Sequence, residues 1–117
     1  MQVIHHEQIE ARPVTTEGAH GATIREVFTA ETGAPTFAMR VFELAPGGCT
    51  PRHTHPWEHE VFVLAGSGCV EGPEGCAPLS PGTAVLVAPD EVHSFRSAAD
   101  QGLKFICLIP VEQTCCR

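Results

Sequence analysis

The sequence predicts an all-β fold, a sandwich or barrel of short strands. Turn-forming clusters of Gly, Pro, Asp and Ser recur about every 8–12 residues. No stretch carries a convincing helical apolar period, and the runs between turns have strand length and strand alternation. At 117 residues, with 43% hydrophobic residues, 11 Gly and 10 Pro, the chain can bury one core. It reads as one domain over residues 1–117, with its strand-rich core at about 20–110.

Taken in order, residues 1–20 are weakly patterned. His5, His6 and His20 share no short spacing with the histidines further on and read as surface residues. Residues 22–29 form a strand, and 31–35 carry turn chemistry. Residues 36–44 form a second strand, with Phe37, Met39, Val41 and Glu43 on one face and Ala38, Arg40, Phe42 and Leu44 on the other. If Glu43 faces water, Arg40 points inward. It is then either a buried cation with an acceptor partner or an edge residue whose stem lies on apolar surface while its head reaches solvent. Ala45, Pro46, Gly47 and Gly48 read as the next turn.

The stretch from Pro51 to Glu60 carries the chemistry. His53 and His55 are two apart, so on an extended chain their rings leave the same face. Pro56 and Trp57 interrupt the strand, because proline donates no backbone hydrogen bond. A hairpin there returns His59 towards the first two rings. Three imidazoles beside an apolar strand point to a transition metal, whether zinc, copper, iron, nickel or manganese, rather than to calcium or magnesium, which prefer oxygen. Glu58, in the turn, is either an acceptor for a ligand imidazole or a solvated carboxylate.

Beyond this stretch come Cys69 to Glu71, a turn over 72–75, Cys76 to Leu79, a turn over 80–82 and an apolar run over 83–88. A Pro-Asp-Glu turn then precedes His93. In the last strand, residues 103–109, Lys104 marks the outer face. Leu103, Phe105, Cys107 and Ile109 therefore point into the core. Cys107 is either a thiol near the metal or a small buried hydrophobe.

The formal charge is −7 and Lys104 is the one lysine. A nucleic-acid partner needs a basic stripe, and the sequence has none. No apolar run of about 18 residues indicates a membrane span. The first residues lack a basic start and an apolar signal core, so the expected location is cytoplasmic and soluble. Six cysteines are expected as reduced thiols, with no Cys-x-x-Cys to suggest a zinc knuckle. Cys115 and Cys116 sit together on a tail where oxidation is expected.

With His93 in place, residues of about 20–110 resemble the cupin family. The family's first motif runs Gly, five residues, His-x-His, three or four residues, Glu, six residues, Gly. Here it reads Gly47, His53, His55, position 59 and Gly66, with His59 in the place of the usual glutamate. The second motif is recognisable from Gly82 to Ser97 but altered: Ala88 stands for its first proline, Asp90 for its glycine and Ser97 for its asparagine. Residues 37–42, 55–64 and 105–110 look like the small cupins with a four-histidine manganese site.

The resemblance implies a cupin jelly-roll barrel (a double-stranded β-helix) with a divalent ion held by His53, His55, His59 and His93. Manganese leads, and iron, nickel, copper or zinc remain possible. Four neutral imidazoles leave the ion's charge uncompensated, which favours an anionic or enolisable oxygen ligand. A six-coordinate ion keeps two positions open. Arg40, Phe105, Cys107 and Ile109 are the candidate pocket residues.

Function divides into two classes, because cupins host many reactions. One is a metal-dependent oxygenase or oxidative-cleavage enzyme on a small molecule, with metal-assisted isomerisation as a related possibility. The strands lining the site offer no obvious inward carboxylate as an isomerase base. The other class is a non-catalytic small-ligand or metal-binding module. A homodimer is expected, since open sheet edges need covering.

Overall fold

A computed structural model describes residues 1–111, so Cys115 and Cys116 lie outside the described residues. Nine strands form one strongly curled sheet: β1 (Arg12–Pro13), β2 (His20–Phe28), β3 (Phe37–Cys49), β4 (His59–Gly66), β5 (Gly68–Gly72), β6 (Gly75–Leu79), β7 (Ala84–Val87), β8 (Ser94–Ser97) and β9 (Leu103–Pro110). The order is β6-β5-β8-β3-β9-β4-β7, with β2 also on β3 and β1 on β2. Every pairing is antiparallel. Among the described residues two short 3-10 turns, His6–Gln8 and Ala30–Thr32, interrupt the β structure. The fold is the expected all-β jelly roll. Among the described residues no helix is long and apolar enough to cross a membrane.

The alternation read from the sequence sets the inner face. Leu103, Phe105, Cys107 and Ile109 of β9 are all buried, as are Ala38, Arg40, Phe42 and Leu44 of β3. Glu43 faces outward and accepts an ion pair from Arg25 at 2.6 Å. Arg40 is therefore an inward cation, 2% exposed, and its NH2 group donates to Cys107 Sγ at 3.1 Å. Stacked rings fill the middle, Phe105 lying 5.3 Å from Phe42 and 4.8 Å from Phe95 between centroids.

Two expectations are corrected. Residues 45–48 are not a chain reversal. The strand β3 runs through them and turns a corner, its first part pairing with β2 and β9 and its end, Cys49, pairing with Arg96 of β8. Gly47, at φ +74°, supplies the left-handed residue that the corner needs. Ser97 ties the corner down: its hydroxyl donates to Ala45 O at 2.6 Å and accepts from Gly48 N at 2.9 Å. The second correction concerns the thiols. Cys69 and Cys76 form a disulfide with 5.9 Å between Cα atoms. The β5–β6 hairpin pairs Cys69 with Pro78 and Glu71 with Cys76, which makes the cysteines diagonal neighbours on one face. Cys49 and Cys107 are buried and lie outside any disulfide.

The corner in β3 and the register of β9 place the site. The first sends the chain from one half of the curl to the other just before His53. The second sets Cys107 opposite Arg40 on one side and Val61 on the other.

Candidate metal centre

Four histidines reach the interior of the curl from three short segments. His53 and His93 form an isolated antiparallel bridge, with His53 N donating to His93 O at 3.1 Å and His93 N to His53 O at 3.0 Å. Their rings therefore leave the backbone side by side, 4.9 Å apart between centroids. His55 follows two residues later, and Asp90 N pins its carbonyl at 2.7 Å. Asp90 has φ +66°, so the position that favours glycine in the second motif keeps its left-handed backbone with an aspartate, which tolerates it. His59 opens β4, paired with Val87, and comes back to the other rings as a hairpin requires.

One ligand nitrogen each from His53, His55 and His93 lie within 4.8 Å of one another. His55, His59 and His93 are buried and His53 is half-buried. The outer nitrogens are held in place. Trp57 O accepts from His55 Nδ1 at 2.8 Å and Glu91 O accepts from His93 Nδ1 at 2.8 Å. A carbonyl only accepts, so both rings carry their proton on Nδ1 and present the Nε2 lone pair inward. His93 Nε2 is buried with no hydrogen-bond partner, and His55 Nε2 faces His59 Nε2 at 2.5 Å. An inward lone pair without a donor is available to a cation, and the neutral nitrogen set suits a divalent transition metal. Burial, reinforced by the imidazoles of His59, His53 and His55, lowers His93 to about 4 despite its bond to Glu91. Its ring is thus neutral near pH 7, the form that ligates.

His59 falls outside that group of three, although its Nε2 lies against His55 Nε2. Two ligand nitrogens on one ion, with metal–nitrogen bonds of about 2.0–2.1 Å, sit roughly 3 Å apart in cis geometry. The 2.5 Å contact between His59 and His55 must therefore open if both bind the same ion.

The remaining candidates divide. Phe105 and Cys107, with Phe42, Thr50, Phe95 and three of the histidines, line a cavity of about 10 Å³ at the base of the site. Arg40 and Ile109 are buried in the core, Arg40 against Cys107, and neither Arg40 nor Ile109 lines that cavity. Glu58 is exposed, and the outer nitrogens of His55, His59 and His93 are held by other groups. Trp57 stacks on His55 at 4.3 Å with 8° between planes, walling the site on the solvent side.

A wider opening adjoins the site. A cleft of about 550 Å³ opens between β6 and β7, the two ends of the strand path, with His93 in its wall. Val70, Ala77, Val85 and Val87 give it an apolar side, and Glu71, Glu74 and Glu91 make the rest of its lining polar. Glu71 is held by Arg96 at 2.6 Å and Arg52 at 3.4 Å. None of these carboxylates lines the small cavity among the histidines. Glu71 comes from β5, and Glu74 and Glu91 from a turn and a loop whose facing no alternation pattern reveals.

A cupin domain model matches residues 40–109. The chain belongs to the cupin family. It is 33% identical to the polyketide cyclase RemF from Streptomyces resistomycificus, covering 95% of this chain and 80% of that one, with a TM-score of 0.90. It is 34% identical over 82 residues to Protein SchB of Streptomyces halstedii, covering 68% of this chain and 59% of that protein. It is also 31% identical over 78 residues to a 1-methylthio-D-xylulose 5-phosphate methylsulfurylase of Rhodospirillum rubrum, covering 67% of this chain. The cupin spans 50% and 59% of the length of these two curated relatives.

Proposed function

We propose that this cupin is a metal-dependent enzyme that closes rings in a small, largely apolar molecule bearing several carbonyl groups. The observation that carries the reading is a set of three convergent imidazoles, with His93 Nε2 buried and unpaired, beside a cleft with an apolar side. The likeness to a polyketide cyclase over nearly the whole chain supports it. A divalent ion, bound by His53, His55 and His93 with His59 as the fourth ligand, would supply Lewis acidity towards a carbonyl or enol oxygen. Manganese is the first choice, and iron, zinc, nickel or copper also suit the nitrogen set.

The chain's own residues do the rest. Neutral ligands leave the site attractive to an enol oxygen, and the valines of the cleft exclude water from a folded carbon chain. Glu74 and Glu91 serve as proton acceptors at the cleft wall. The step balances as an aldol condensation: one carbon–carbon bond forms between an enol carbon and a ketone carbon, and water leaves. No oxidant is consumed.

The test compares metal-loaded and metal-free protein on a model poly-β-ketone, with and without dioxygen, with products read by mass. Metal-dependent loss of water without oxygen uptake is the expected result. Oxygen incorporation would instead favour the oxygenase anticipated from the sequence. Binding without turnover of any kind would favour the non-catalytic module.

We also propose a homodimer. Phe62 and Leu64 of β4 and Leu86 of β7 are 47%, 40% and 65% exposed on the outer face, an apolar area a second copy would cover. Sedimentation at micromolar concentration is expected to give a dimer that Phe62→Glu with Leu86→Glu splits. A monomer before mutation would end this idea.

A further inference from the structure

We infer that Cys107, held by Arg40, is a positioning residue that fixes the tautomer of His59 and so makes it the fourth ligand of the ion. The inference rests on the metal-binding reading above.

The rings find their outer partners in different ways. His55 and His93 sit on loops, and each uses a carbonyl two residues away in its own segment. His59 sits on a strand between two ladders, paired on β7 with Val87 and followed by Glu60 and Val61 paired on β9 with Leu108 and Cys107. Backbone carbonyls in such a strand are committed to their ladders. The partner has to come from a side chain across the sheet. Cys107 pairs with Val61, so it is the diagonal neighbour of His59 on the inner face. Its sulfur lies 2.9 Å from His59 Nδ1.

The direction of that bond decides what His59 can do. If the thiol donated to Nδ1, the ring would carry its other proton on Nε2. It would then donate towards His55 Nε2 at 2.5 Å and could not ligate. If the sulfur accepts, Nδ1 keeps the proton and the Nε2 lone pair faces the centre. Arg40 tips this balance. A guanidinium only donates, and Arg40 directs its NH2 group at the same sulfur from 3.1 Å, directly opposite across β3 and β9. With His59 Nδ1 protonated, two donors converge on one acceptor. Carboxylates and carbonyls commonly hold a ligand imidazole in this manner; here a thiol does so, with a buried arginine behind it.

This gives Arg40 and Cys107 one shared purpose. Both are at most 2% exposed, and neither lines the wide cleft, so neither serves as a substrate contact there.

The test uses the full chain with Cys107→Val, which is apolar and removes the acceptor, and Cys107→Ser, which restores an acceptor. Zinc affinity is measured by chelator competition and the ligand field by the cobalt-loaded absorption spectrum. Nitrogen NMR of the zinc-loaded protein reads the His59 tautomer. The expected result is a roughly 10–100-fold weaker zinc affinity and a changed cobalt spectrum in Cys107→Val. Recovery of most of both is expected in Cys107→Ser, and an Nδ1-protonated His59 in the unmutated protein. If Cys107→Val fails to fold, the serine variant and the NMR tautomer still decide. Unchanged affinity and spectrum in a folded Cys107→Val, or a proton on His59 Nε2 with zinc bound, would overturn the inference. Failure of the unmutated protein to bind either metal would instead overturn the metal reading on which it rests.

Discussion

His93→Ala is expected to weaken divalent-metal binding by more than the roughly 10–100-fold that loss of an outer-sphere partner costs, because it removes a ligand itself. His93 contributes the buried nitrogen that has no other partner, and it belongs to the three-histidine group. The fold should survive, since the bridge that seats His93 is made by backbone groups shared with His53. Native protein with metal at about 1,000 times its Kd should gain roughly 4 kcal/mol of stability. The variant should show almost none of that gain while its metal-free melting stays close to the native value. Chelator competition and thermal melting read both quantities. An unchanged Kd in the folded variant would remove His93 from the site.

Gly66→Ala is expected to unfold the protein, or to destabilise it by more than about 4 kcal/mol. Gly66 has φ +85°, and a Cβ there would stand 1.9 Å from Gly102 O, 2.7 Å from its carbonyl carbon and 2.9 Å from Leu103 Cα. All three are backbone atoms, pinned because Gly66 pairs with Leu103 and Ser67 N donates to Gly102 O at 3.1 Å. Neither strand can yield without breaking the ladder. Gly47 is the internal control. Its φ is +74° but nothing lies within 4 Å, so Gly47→Ala should cost only the left-handed strain of about 1–2 kcal/mol. Equal melting of the two variants would show that the close approach at Gly66 is not what holds that position to glycine.

Much of this architecture was legible because alternation is a strict code. In β9 one outward lysine fixed the facing of four inward residues, and the same logic turned Arg40 inward once Glu43 was placed in water. The histidine spacing was legible for a related reason. His53 and His55 share a face, and proline at 56 forces the hairpin that returns His59.

What stayed hidden depends on register, which a single sequence does not display. The Cys69–Cys76 bond follows from a diagonal in the β5–β6 hairpin, and the Cys107–His59 contact follows from a diagonal between β4 and β9. Facing gave Cys107 its inward direction but not its neighbour. The corner at 45–48 was read as a turn because a proline beside two glycines marks a change of direction without saying whether the strand ends there. Asp90 shows the converse. Its backbone keeps the left-handed geometry of a glycine position, so the altered second motif lost its signature residue and not its shape.

The central claim is that these imidazoles hold one divalent ion per chain. Its most direct test is the metal stoichiometry of untagged protein, stripped and then equilibrated with manganese or zinc, by elemental analysis after desalting. One ion per chain, retained by native protein and lost from His93→Ala, is the predicted result. Metal-free native protein after that treatment, or full retention in His93→Ala, would contradict it.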